Sequence, residues 1–263
     1  MVLAAFMISL FASVAGAICG VGGGIIIKPV CDLLGIASVV TISFLSGCTV
    51  LSMSAYSVAK SFLTNDKLVD LKVGTPIAIG ATIGGIIGKR VFQLLVAAQG
   101  MGGKFAGGIQ ALCLFVVTFL TILYTIKKDR IHTHHINNPV LILIIGATLG
   151  ILSSFLGIGG GPINLMVLNY FFSMKTKVSA ANSLYIIVFS QLSSLVLTIF
   201  TRTVPEFEIL MLVLMIAGGI GGGIIGRRIN KEMEASKIDR LFIGLMILIM
   251  LICLYNAGKA FAA

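Results

Sequence analysis

The sequence predicts an all-α membrane protein with about eight transmembrane helices in two internal repeats, each holding a glycine-broken helix and a short half-helix. Three observations lead there. Hydrophobic residues make up 58% of the 263 positions and charged residues only 11%, with a mean hydropathy of +1.11, whereas soluble domains carry about 25% charged residues. Apolar runs recur that approach or exceed the roughly 20 residues needed to cross about 30 Å of hydrocarbon. A stretch of nearly pure glycine occurs twice, as Gly20-Val21-Gly22-Gly23-Gly24 and Gly157-Ile158-Gly159-Gly160-Gly161.

In chain order, spans are expected at Val2–Ile18, Ser38–Leu63, Val73–Gly88, Phe105–Ile126, Pro139–Leu156, Val178–Phe200, Glu208–Gly226 and Leu241–Asn256. The first has no Lys or Arg before Lys28, so it lacks the basic start of a cleaved signal and reads as a retained span. Gly24–Ile36 and Gly161–Met174 follow the glycine clusters and are too short to cross comfortably, which makes them half-helices or re-entrant segments. Glycine costs roughly 1 kcal/mol relative to alanine inside a helix, so each cluster weakens or ends the helix it interrupts. The backbone groups so freed cannot be satisfied by lipid. They are tolerated only where protein or a water-filled cavity surrounds them, which is how many carriers hold a solute.

A shift of 137 or 138 residues lays one half of the chain over the other, aligning the two glycine clusters and matching Gly80–Arg90 to Gly218–Arg228 almost residue for residue. The expected organisation is a first four-span repeat over 1–126, a polar linker over 127–138 and a second four-span repeat over 139–263. Four crossings per half make the halves parallel, whereas a fifth crossing by the short apolar piece inverts them. Under the four-span arrangement the basic residues divide eleven to eight, with both termini on the less basic, outer side. Gly80, Gly84 and Gly88, like Gly218, Gly222 and Gly226, recur every fourth residue. That spacing makes a small-residue face for close helix packing.

Several functions are excluded by what surrounds these motifs. The glycine clusters resemble a dinucleotide-binding turn, but they have membrane spans as flanks and no βαβ unit around them. The formal charge of +10 is spread over short loops, so anionic headgroups rather than nucleic acid are the expected contacts. Cys19, Cys31, Cys48, Cys113 and Cys253 form no CxxC pair and read as small buried hydrophobes. His132, His134 and His135 fall in the linker and read as solvated. No metal and no cofactor is expected.

No span carries a carboxylate at its centre; Asp32, on the first short piece, is the one acidic residue whose depth is open. Intramembrane carboxylates are the usual equipment of cation and proton pathways. Their absence points to an anion, which needs donors instead, and N–H groups at the start of a half-helix supply them. The candidate binding residues are therefore Gly20, Gly22, Gly23 and Gly24, Gly157, Gly159, Gly160 and Gly161, joined by Lys28, Ser46, Thr49, Asn164, Asn182, Ser183 and Gln191. Lys28 either supplies charge to the substrate or pairs with Asp32 four residues on. The polar residues in the spans either bind solute or hydrogen-bond between helices.

The paired G-[IV]-G-G-G breaks, the short apolar helices after them, the duplicated unit and the chain length resemble the sulfite exporter TauE/SafE family over essentially the whole sequence. Pro29 matches that family's usual proline beyond the first break; in the second the proline is immediate, at Pro162. The resemblance implies a multi-pass carrier in the cell membrane for small sulfur-containing anions, sulfite or an organosulfonate, by alternating access at the repeat interface. The alternatives are a passive anion channel and a carrier for a non-sulfur anion. No span holds an acid–base pair or a nucleophile beside a His, so an enzyme is not expected. The expected partners are the anion and the bilayer, with a homo-oligomer left open.

Overall fold

A computed structural model describes the chain except for Asn65, Lys67, 99–103, Gly159 and Ala263, and gives only the backbone of Ala98, 104–106, Asp129 and 260–262. Ten α-helices make up the described fold: α1 Val2–Cys19, α2 Gly24–Leu34, α3 Val39–Leu63, α4 Leu71–Ala98, α5 Lys104–Lys127, α6 Pro139–Leu156, α7 Gly161–Phe172, α8 Thr176–Phe200, α9 Ile209–Glu232 and α10 Ala235–Ala262. Eight of them are long and apolar enough to cross a membrane, and α2 and α7, of 11 and 12 residues, are the half-helices. The chain is thus a multi-pass membrane protein. Three helices outrun their expected ends, α4 and α9 at the C-terminal end and α10 at both. Lys89-Arg90 and Arg227-Arg228 do not stop α4 and α9, because long basic side chains are good helix formers that snorkel without breaking the backbone.

The glycine faces are the main packing seams. A Cβ added at Gly80, Gly84 or Gly88 of α4 would fall on the α6 backbone at Leu143, Ala147 or Ile151, and one at Gly218, Gly222 or Gly226 of α9 would fall on α1 at Ser9, Leu10 and Val14. Each glycine-rich helix therefore packs on the first helix of the other half. The remaining seams exchange in the same way when helices are renumbered by five: α3 meets both α8 and α9, α8 meets both α3 and α4, and α5 meets α10.

Contacts along these seams fix helix direction. Position numbers rise together where α1 and α3 meet α9 and where α6 and α8 meet α4, so α1, α3 and α9 run one way together, and α4, α6 and α8 run together as a second set. The short α3–α4 connection makes these two sets antiparallel. Because α1 and α3 run the same way, α2 makes the return between them, as α7 does between α6 and α8. Each half then has five segments, and the halves are inverted rather than parallel, contrary to the four-crossing count. Both chain ends lie on one face, termed the terminal face. The opposite, basic face gathers Lys60, Lys72, Lys127, Lys128, Arg130, Lys175, Lys177, Arg227, Arg228, Lys231, Lys237 and Arg240, whereas Arg90, Arg202 and Lys259 lie toward the terminal face.

Candidate functional site

The two glycine breaks cross each other in the interior. Gly20 ends α1 in the left-handed conformation at φ 76°, and Gly157 ends α6 in the same way at φ 66°, a backbone state that glycine adopts without steric cost. The chain then doubles back, bringing Gly22 and Gly23 beside Gly16 and Ser13. Ser13 lies about 17 Å along α1, near the middle of the hydrocarbon. A Cβ at Gly24 would stand 2.7 Å from the Ile158 carbonyl oxygen, and one at Gly161 would overlap that of Val21. Val21 and Ile158 are fully buried. Protein backbone, rather than lipid, therefore encloses much of each break.

Beside the crossing, on its terminal-face side, a small polar cavity of about 10 Å³ is lined by Ser43, Phe44 and Gly47 from α3, Lys89 and Phe92 from α4, Gln110 from α5, Ser154 and Gly157 at the end of α6, and Gln191, Ser194 and Leu195 from α8. It has no carboxylate in its lining. Lys28 borders it: a Cβ at Gly157 would stand 3.3 Å from both the Lys28 Nζ and the Ser43 Oγ. Lys28 is 4% exposed, and its ammonium donates to the Gln110 Oε1 and, at 3.0 Å, to the Leu156 carbonyl. Gln110 in turn donates to the Phe155 carbonyl. Lys28 and Gln110 thus satisfy carbonyls that the end of α6 leaves free. The Nζ atoms of Lys28 and Lys89 each lie 5.8 Å from the centroid of the Phe92 ring. Among the described residues neither lysine has an ion-pair partner; the Lys28–Asp32 pair, open from sequence, is not formed.

The expected binding residues fall into distinct groups. Gly157, Gln191 and Lys28 meet at the cavity. Ser46 and Ser183 occupy equivalent places on α3 and α8, both fully buried with hydroxyls that have no partner among the described residues. Asn164, 1% exposed and with an Oδ1 that has no partner among the described residues, stands by Gly160. Gly20, Gly22, Gly23, Gly24, Gly160 and Gly161 shape the crossing. The Thr49 hydroxyl bonds the Leu45 carbonyl of its own helix at 2.9 Å. Asn182 stands near the basic face, accepting from the Asp70 N–H and donating to the Leu68 and Val178 carbonyls, so it fastens the α3–α4 connection to α8. Gly159 lies outside the described residues. Sequence reasoning missed Gln110, Lys89 and Ser154. A glutamine inside the apolar Phe105–Ile126 run carried the same signal as Gln191.

The basic-face end is closed by ionic contacts. Asp66 accepts from Arg227 and, at 3.0 Å, from Lys231, and Lys128 meets Asp239 at 2.5 Å with Thr176 beside it. Burial opposes ionisation of Asp66, but the Thr64 hydroxyl, Lys231 and Arg227 together hold its carboxyl below the usual carboxylate range. At the terminal face the corresponding contacts are neutral, from Thr41 to the Glu206 carbonyl and from Gln93 to Thr203.

Inverted halves, crossed broken helices and a buried polar cavity define a membrane transporter. The chain matches the sulfite exporter TauE/SafE family over residues 5–252 and belongs to that family. It is 26% identical to the probable membrane transporter protein YunE of Bacillus subtilis (strain 168), across 92% of this chain and 93% of that protein. No solved structure matches it.

Proposed function

We propose that the protein is a secondary carrier of sulfite or a small organosulfonate, not an enzyme, and that the cavity beside the glycine crossing holds the anion. The observation that carries this reading is a buried ammonium whose two recorded partners are neutral oxygens. Moving such a charge out of water costs several kcal/mol, whereas a helix C-terminus returns about 0.3–1 kcal/mol and at most ~2. Capping alone does not call for the charge. At the equivalent end of α1, neutral Asn230 donates to the Ile18 carbonyl. An anion between Lys28 and Lys89 supplies the missing compensation, with Gln191, Ser43 and Ser194 as donors to its oxygens.

Inversion of the halves supports alternating access: a cavity toward one face in one half has an equivalent place toward the other face in its partner. Here the terminal-face side holds the cavity, and ion pairs hold the basic face shut. The Lys and Arg excess puts the basic face in the cytoplasm and both termini outside. The test is counterflow of radiolabelled sulfite, sulfoacetate and methanesulfonate in proteoliposomes. Saturable exchange is expected for at least one of them, falling about a hundredfold, or some 3 kcal/mol, in Lys28→Met. Linear flux without counterflow indicates a channel instead. Unchanged exchange in Lys28→Met overturns the assigned site.

A further inference from the structure

Asp32 lies one helical turn beyond Lys28 on α2, and its Oδ1 is buried without a hydrogen-bond partner among the described residues. A second small cavity is lined in part by Lys28, Asp32, Gln110, Cys253 and Asn256. Gln110 also lines the anion cavity, so the two spaces share a wall made by the Lys28–Gln110 hydrogen bond. The second half carries no such arrangement. At the equivalent places α7 has Leu165 and Asn169, and Asn169 is engaged, accepting from the Tyr124 hydroxyl at 2.7 Å and donating to the Met174 carbonyl at 2.8 Å. Asp32 is half-buried, but a carboxylate oxygen shut from water with no partner among the described residues is costly, so architecture alone does not explain it.

We propose that Lys28 and Asp32 form a proton-binding site that couples passage of each anion to one proton moving in the same direction. While the anion is bound, the Lys28 ammonium is compensated. Once the anion leaves, an N–H bond of the ammonium breaks and the proton passes across the small cavity to a carboxylate oxygen of Asp32, forming an O–H bond. Amine and carboxylic acid are then both neutral. Asp32 releases the proton to water on the side that received the anion, and proton uptake from the other side restores the ammonium for the next anion. The groups around the pair are Lys89 from α4, Cys253 from α10 and Cys31 on α2, with Cys48 of α3 beside Lys89. Among the described side chains, α1 and α5 bring no charged group to it. Thiols are largely neutral near pH 7, which leaves Lys89 as the charged neighbour.

The proposal rests on the anion-carrier reading, and the experiment separates the two. The full chain in proteoliposomes is given radiolabelled methanesulfonate, a strong-acid anion, so that pH acts on the protein and not on the probe. Acid outside is expected to drive accumulation, up to about tenfold per pH unit for one proton per anion. Asp32→Asn is expected to keep counterflow within about twofold of the parent, which shows that it is folded, while accumulation is lost; Asp32→Glu restores it. Counterflow without proton-driven accumulation in the unaltered protein, or accumulation retained in Asp32→Asn, overturns the coupling proposal alone. Absence of counterflow in the unaltered protein overturns the carrier reading and this one with it.

Discussion

The two glycine breaks share a sequence, yet they end in different surroundings. Gly20 is wedged against the backbone of Ala180, where an added Cβ has no room, whereas Gly157 faces the mobile ends of Lys28 and Ser43. The α1 end is capped by Asn230 and packed shut; the α6 end is capped by Gln110 and a lysine, with a cavity alongside. Near-identical motifs thus form a closed joint in one half and the wall of a polar cavity in the other. The backbone seams of the two halves correspond, and a few side chains break that correspondence, chiefly Lys28 against Leu165 and Asp32 against Asn169.

The comparison breaks most readily at those two glycines. Gly20→Ala is expected to cost about 3 kcal/mol, combining left-handed strain with overlap onto backbone that cannot yield. Gly157→Ala meets only flexible side-chain ends at 3.3 Å and is expected to cost about 1 kcal/mol while weakening anion binding. Thermal unfolding in detergent, paired with counterflow, checks both. Equal losses of stability would remove the distinction between a closed joint and a cavity wall.

A smaller effect tests the ionic closure of the basic face. The Asp66 carboxyl is held below its unfolded value, so its contribution is fully present above the unfolded carboxylate range, near pH 3.9, and is lost as pH falls through the lower folded value. Asp66→Asn is expected to lower the melting temperature by a few degrees at pH 7, and the gap to the parent should close in strong acid. A gap independent of pH would show that the charge of Asp66 is not what closes that face.

The smallest effect sharpens the symmetric part. Ser46→Ala and Ser183→Ala each remove a buried hydroxyl with no partner among the described residues. Each is expected to change stability by less than about 0.5 kcal/mol, by matched amounts, because no hydrogen bond is given up. Unequal losses of anion exchange would show which of the two hydroxyls the solute reaches.

How far the sequence carries depends on the range of each interaction. The spans, the breaks and the glycine faces were legible because each is written in one local stretch, and Lys28 stood out by following a break directly. Gln110 acts on Lys28 from 82 positions away, and no local pattern records that distance. Lys89 read as a helix-ending loop charge because its partner in the basic pair, Arg90, does face outward. Asn182 misled in the opposite sense: a polar residue in a span suggested solute, while two of its three bonds hold a neighbouring connection. Parity stayed open for a physical reason as well. A segment of 11 residues returns to the starting face because α1 has already carried the chain past the midplane.

The crossing also has a consequence for biosynthesis. Gly24 rests on the Ile158 carbonyl and Gly161 on that of Val21, so the first break stays without its covering partner until translation has passed residue 161. For most of synthesis the nascent chain holds a half-finished turn in the bilayer, its free amide and carbonyl groups facing whatever the insertion machinery provides. The early half is therefore an unsuitable unit to express by itself. Stop codons between the two breaks are expected to yield fragments that membrane proteases remove, rather than a small stable bundle.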